Sequence, residues 1–270
     1  MSRRSQGRPV LGEVAGGLVL AFLVMPIFAV VPASMNDASF IKIPPAVYSF
    51  RWYGQFFHDP SWISALANSV EVAVLATVFS VAIGTSAALG IERLPPATRS
   101  LAVGLVLSPL IVPVIMISIS LYYVTRTIGL YGTAAGLALS HALLCLPFVV
   151  LNVGVSLKRL DPNLVRAAEG LGAGPWRVFR TVTFPAILPG LAGGATFAFV
   201  TSFDEVVISI FIAGYGAKTL PVKLWEQIRF EFTPVAAVAS TVILALTMVL
   251  FVLARRAAAR NAATAAAEDA

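Results

Sequence analysis

Asp204 and Glu205 stand side by side in FVTSFDEVVISIF, an otherwise apolar stretch. A carboxylate at the centre of a bilayer costs roughly 3 kcal/mol on insertion scales, so finding one there is a functional hypothesis by default. The chemistry on offer is charge neutralisation, with one or both groups lining a pathway and balancing a cation in transit. Two other readings compete. Ser202 and Glu205 have the spacing of a capping box, which would let Glu205 restart a broken helix. Alternatively, the carboxylates pair with a partner subunit. Neighbouring residues point about 100° apart on a helix, so the two need not share one cavity.

The remaining polar groups offer less. Asn68 and Glu71 again have capping spacing at the start of an apolar run, a structural role. His141 has no carboxylate near it in sequence and reads as a hydrogen-bonded core histidine rather than a proton relay. His58 and His141 lack metal-ligand spacing, and the single cysteine, Cys145, excludes an internal disulfide and a cysteine metal cluster.

The elements that position these groups are membrane spans. Charged residues make up 12% of the 270 residues and mean hydropathy is +0.88, whereas soluble domains carry about 25% charged residues. Six apolar runs, at about Val14–Ser34, Leu66–Gly90, Leu101–Val124, Gly132–Leu157, Ala186–Ala213 and Val235–Ala254, are long enough to cross a core about 30 Å thick. They show no strand-like alternation, so helices are expected. The expected fold class is an all-α polytopic membrane protein with six transmembrane helices, residues 1–270 forming a single membrane domain and 256–270 a frayed tail. The first run exceeds a signal-peptide core in length and reads as a span.

Six spans put both termini on one side. Thirteen basic residues fall on that side and six on the other, so the positive-inside rule makes both termini cytoplasmic. The net charge of +6 is thus a topology signal, not a nucleic-acid footprint. Outside, YSFRWYGQFF suits an interfacial aromatic helix, and LPVKLWEQIRFEF a short amphipathic one. Pro109 and Pro113 lie on one face of the third run, predicting a bent span. Gly190, Gly194 and Ala198 form a small-residue stripe for close helix packing, within the chain or with a partner.

One cytoplasmic segment interrupts this pattern: RAAEGLGAGPWRVFRTVTFP, Arg166 to Pro185. Asp161 is a good N-cap, Pro162 suits the first helical position, and Gly172 supplies a left-handed stop. A helix over Pro162–Leu171 is expected, and a second from Pro175 towards Pro185. A helix this short is marginal alone in water. Leu164, Ala167, Ala168 and Leu171 give it an apolar stripe for docking.

The segment resembles the cytoplasmic loop of type I ABC importer permeases, E-A-A, three residues, G, nine residues, I-x-L-P. Here it reads Arg166-Ala167-Ala168, EGL, Gly172, nine residues to Val182, then Phe184-Pro185. Spacing is kept, while Arg, Val and Phe replace Glu, Ile and Leu. The Arg reverses a charge, so the contact made by that glutamate does not carry over. The six spans and the loop between the fourth and fifth also match that family. Ser202-Phe203-Asp204-Glu205-Val206-Val207 is similar to the S-[LF]-D-[DE]-V-V stretch of spermidine/putrescine-type permeases.

The resemblance implies the type I ABC importer permease fold in a bacterial inner membrane, with residues 158–185 as the coupling loop. It implies that Arg166, Ala167, Ala168, Glu169 and Gly172 dock on an ATPase and that Asp204 and Glu205 serve the pathway. The implied partners are a second homologous permease, a cytoplasmic ABC ATPase dimer, an extracytoplasmic solute-binding protein and the lipid bilayer. No cofactor is expected on this chain. ATP and Mg belong to the ATPase, since none of the four lysines here follows a glycine as a P-loop requires. The expected substrate is a polyamine or related cationic amine. Alternatives are an importer of iron, thiamine or a sugar-type solute, and an ion-coupled secondary transporter using Asp204 and Glu205. A scaffold without a pathway is a further rival.

Overall fold

The computed structural model describes residues 10–40, 43–230, 233–249 and 252. The arginines at both ends of the chain and the tail 256–270 lie outside the described residues. In chain order the helices are α1 Val10–Ser34, α2 Arg51–His58, α3 Pro60–Glu92, α4 Pro96–Leu107, α5 Val114–Thr127 and α6 Ala134–Arg159. They continue with α7 Pro162–Gly170, α8 Pro175–Val178, α9 Phe184–Phe203, α10 Val207–Ile212 and α11 Leu220–Phe230. The last is α12 Val235–Val249. An isolated bridge between Asn36 and Tyr48 is the only β-type pairing among the described residues.

Two compact units emerge, one from Met1–Pro60 with Glu226–Leu244, the other from Ser61–Trp225 with Ala245–Ala270. In the first, α1 is apolar all round and leaves Leu18, Phe22, Met25 and Phe28 exposed, as a lipid-facing helix should. The aromatic segment forms α2, where Trp52 and Phe56, one turn apart, are buried. The Ser34 hydroxyl lies 2.7 Å from the Tyr53 hydroxyl, tying the end of α1 to α2.

The second unit is built on α6 and α9, its most extensive helix pair. The Gly190, Gly194 and Ala198 stripe faces α6 within the chain. A side chain at Gly190 would collide with the Asn152 carbonyl and the Ser156 hydroxyl, and a Cβ at Gly194 would sit 2.9 Å from Val149 Cα. Ala198 is fully buried and its carbonyl accepts from the Cys145 thiol at 3.2 Å. Gly84 of α3 meets Val149 from another side, at 2.9 Å for a built Cβ. Small residues therefore bring two helices, α3 and α9, onto one segment of α6.

Two of the six expected helices are broken. The third run is not one helix: α4 passes through a 3₁₀ turn at Ser108–Leu110 and meets α5 at 94°. Pro113 sits immediately before α5 and can donate no backbone hydrogen bond. The fifth run is also discontinuous. A helical course from Pro175 to Phe203, including a π-turn at Phe179–Thr183, stops at Asp204 and restarts as α10. The second helix of the Arg166–Pro185 segment is thereby the beginning of the fifth run. α3 starts at Pro60 rather than Leu66, because proline suits a first turn. Asn68 is consequently inside the helix and caps nothing. Its amide instead donates to the carbonyls of Gly216 at 3.4 Å and Lys218 at 3.0 Å. Beside it, Ser69 Oγ accepts from Leu220 N–H at 2.7 Å, at the start of α11.

Among the described residues four helices are long and apolar enough to cross a membrane, or five if α4 and α5 form one bent span. The chain is thus a multi-pass, all-helical membrane protein.

Since backbone stands opposite Gly190 and Gly194, Gly190→Val or Gly194→Val should destabilise the detergent-solubilised protein by about 1–3 kcal/mol, the usual cost of overpacking. Nothing lies within 4 Å of a Cβ built at Gly104, so Gly104→Ala should stay within about 0.5 kcal/mol of the parent. Apparent melting temperatures compare the three. An equal loss at Gly104 would contradict the packing assignment.

Candidate functional site

The break between α9 and α10 is built by Glu205. Its two carboxylate oxygens accept from the backbone N–H of Val207 at 3.0 Å and of Ser209 at 3.1 Å. Its carbonyl accepts from the Ser209 hydroxyl at 3.0 Å. One residue thus satisfies two donors that a helix start leaves open. The capping reading of Glu205 describes this geometry, but the reciprocal box with Ser202 does not form. The Ser202 hydroxyl is committed to His141.

His141, in α6, is fully buried. Its Nδ1 lies 2.8 Å from Ser202 Oγ and its Nε2 3.0 Å from Ser209 Oγ. Because Ser209 already donates to the Glu205 carbonyl, it accepts from Nε2–H. Nδ1 of the neutral ring then accepts from the Ser202 hydroxyl. Nε2 is also 3.6 Å from a Glu205 carboxylate oxygen. The histidine is a hydrogen-bonded core residue, and it ties α6 to both sides of the break.

The adjacent carboxylates have different surroundings. The Glu205 side chain is 8% exposed and occupied by the cap. Asp204 is exposed and has no side-chain partner among the described residues. Its own N–H closes the last turn of α9, to the Val200 carbonyl at 3.1 Å. Below α10, Ile208 and Ile212 are buried with Val72, Ala76 and Leu137 in an apolar cluster. Gly132 N–H donates to the Ile212 carbonyl at 3.0 Å. The short helix is therefore anchored at both ends. Sequence reasoning missed Ser209, whose signal was a lone hydroxyl four residues after Glu205 in an apolar stretch. The His141 contacts span 61 and 68 residues and left no local signal.

The segment between the fourth and fifth runs forms α7 as its caps require. Asp161 Oδ1 accepts from Asn163 N–H at 2.9 Å, and Gly172 has φ +81°. Arg166, Ala167, Glu169 and Gly172 are exposed and Ala168 is half-buried. Leu164 and Leu171 of the apolar stripe are 55% and 89% exposed, a surface that α7 leaves uncovered within this chain. Along the π-turn Trp176 stacks on Phe179 and Phe179 meets Phe184 at a tilt, with ring centroids 5.5 and 5.9 Å apart. The helical course from Pro175 to Phe203 leads from the end of this segment to the Asp204 break.

The sequence family described as binding-protein-dependent transport system inner membrane component matches residues 80–262, which includes α6 to α11. The chain belongs to this family. It is 29% identical over 234 residues to the spermidine/putrescine transport system permease protein PotC of Escherichia coli, covering 87% of this chain and 88% of the relative. It is 30% identical over 234 residues to the putrescine transport system permease protein PotI of the same species, covering 84% and 83%. Its fold is shared with a bacterial ABC transporter involved in the import of the acidic polysaccharide alginate, with TM-score 0.74, 14% identity and coverage of 93% and 95%. The chain is thus a transport permease, not an enzyme, and the ATPase of such an importer is a separate chain. The secondary-transporter and scaffold readings fall with that membership.

Because Glu205 satisfies buried donors in this permease and Asp204 satisfies none, Glu205→Ala should cost about 1–3 kcal/mol for the backbone groups left open. Asp204→Ala should fall within about 0.5 kcal/mol. Thermal unfolding in detergent distinguishes them, and equal costs would contradict the assigned cap.

Proposed function

We propose that this chain forms half of the translocation pathway of an ATP-driven, binding-protein-dependent importer, and that its substrate is a polyamine or related cationic amine. The observation that carries the substrate class is the Asp204 carboxylate, exposed at a helix break inside an apolar run with no protein partner. An organic cation supplies the compensating charge that the protein does not. The polyamine names of two relatives support the same class. Glu205 serves the pathway indirectly, by holding the break that presents Asp204.

The full reading has six spans in a single membrane domain, with the α4–α5 pair as a bent third span, the fifth broken at Asp204, and the sixth extending from α12. Thirteen of nineteen basic residues on the side of the termini support a cytoplasmic location for both ends and for α7. α7 is the coupling helix. Its exposed Leu164 and Leu171, with Arg166, Ala167, Ala168, Glu169 and Gly172, dock on a cytoplasmic ABC ATPase that binds ATP and Mg. The helical course from Pro175 to Phe203 offers a rigid path from that contact to the pathway. A second homologous permease completes the channel, and an extracytoplasmic binding protein delivers the substrate; a neighbour of known structure was solved in complex with a periplasmic protein.

The test is co-purification with the ATPase, the second permease and the binding protein, followed by reconstitution. Spermidine- or putrescine-loaded binding protein should raise ATP turnover and drive uptake. Asp204→Asn should lower uptake about tenfold, the factor that corresponds to one lost interaction of 1.4 kcal/mol, in a complex that still assembles. Unchanged uptake in Asp204→Asn removes this residue from the pathway. Cysteines at Ala168 and Gly172 should cross-link to the ATPase, and their failure to do so removes α7 as the coupling element.

A further inference from the structure

Where α3, α4 and α6 meet, next to α7, the second unit has a surface groove that is charged at one end and apolar along the rest. The charged end is rimmed by Glu92, Arg99 and Lys158, with Val103, Leu151 and Gly154 in its wall. Arg99 pairs with Glu92, so the pair is neutral and Lys158, exposed, carries the net positive charge. Arg93 and Arg159, each next in sequence to a rim residue, are exposed. A second hollow shares Val106 and Val150 with the first and continues past Ile83 and Leu105 to Leu143 and to Pro109 in the 3₁₀ turn after α4. Together they make one furrow on the membrane-spanning surface.

Its dimensions select an occupant. From Lys158 to Leu143 is fifteen residues along α6, or roughly 22 Å at the helical rise of 1.5 Å per residue. One leaflet, headgroup included, is about 20–22 Å thick. The furrow is therefore as long as a lipid, with its cations at headgroup depth and hydrocarbon walls below. Basic pockets between membrane helices on the cytoplasmic side are sites for anionic headgroups. Gly154 contributes to the fit, since a Cβ built there meets nothing within 4 Å. That space belongs to the occupant.

We infer that this groove is a binding site for one anionic phospholipid, its phosphate on Lys158 and an acyl chain along Val106 and Val150. The lipid fills the hollow between α4 and α6 beside the α4–α5 bend. It holds α4 against the part of α6 that leads directly into α7.

The test uses the full-length chain in its assembled complex, in nanodiscs containing phosphatidylglycerol with a photoreactive acyl chain. Adducts should map to residues 101–110 and 143–155. Unlabelled phosphatidylglycerol should compete them away, and phosphatidylcholine of the same chains should compete less well. Lys158→Gln should weaken capture about fivefold, the factor for one cation near an anionic surface. Gly154→Leu, which fills the furrow and favours the helix, should abolish capture. Inorganic phosphate should not compete. The proposal is overturned if phosphatidylcholine competes equally, if Gly154→Leu leaves the adducts unchanged, or if a cysteine at Gly154 cross-links to another protein chain in place of the lipid. None of these readouts requires transport, so they stand or fall separately from the assignment of Asp204.

Discussion

A helix that breaks within hydrocarbon leaves backbone N–H groups where no water can reach them, and each must find a partner inside the protein. In this permease Glu205 is that partner. Its carboxylate takes the Val207 and Ser209 N–H groups, and that bond set makes the discontinuity between α9 and α10 stable. With the cap in place the chain can end α9 at Asp204 and leave a second carboxylate unpaired at the gap. Two adjacent acids thus differ in task, one closing the backbone and the other left exposed without a side-chain partner among the described residues. Without the first, the second would have no break to stand at.

His141 extends that constraint across the fold. It reaches Ser202 on one side of the break and Ser209 on the other, so the two helical segments cannot shift independently of α6. The α6–α9 pair is close enough that glycine is required at Gly190 and Gly194. Movement of either helix is therefore transmitted to the other by contact between backbones. α7 hangs from the end of α6, and the Pro175–Phe203 course returns from it. A displacement there has a continuous packed route to Asp204, more than 30 residues away in sequence.

The α4–α5 bend is a second break, handled differently. There proline removes a donor rather than a carboxylate supplying an acceptor. The bend opens a furrow beside α6 that the second unit does not fill. A multi-pass protein has lipid as an obligatory neighbour, and that solvent becomes a structural component wherever a groove matches its length and charge.

Much of this was legible from residue types. Long apolar runs specified membrane helices because hydrocarbon allows little else. Asp161, Pro162 and Gly172 marked the ends of α7 within a residue, because caps are local chemistry. The spacing from Arg166 to Pro185 identified the family. Long-range placement was not legible. Capping spacing at Asn68 and Glu71 was misleading because α3 had already begun at Pro60. Pro109 and Pro113 announced a bend in the third run, but nothing local set its angle of 94° or showed that α9 begins inside the Arg166–Pro185 segment. Sequence by itself determined the solvent of this protein, its helices and its family, since these follow from hydropathy, local capping and motif spacing. Tertiary structure alone decided which of two neighbouring acids is tied up and which is free. That choice depends on where His141, Ser202 and Ser209 converge, and residues so far apart in the chain carry no local signature of their meeting.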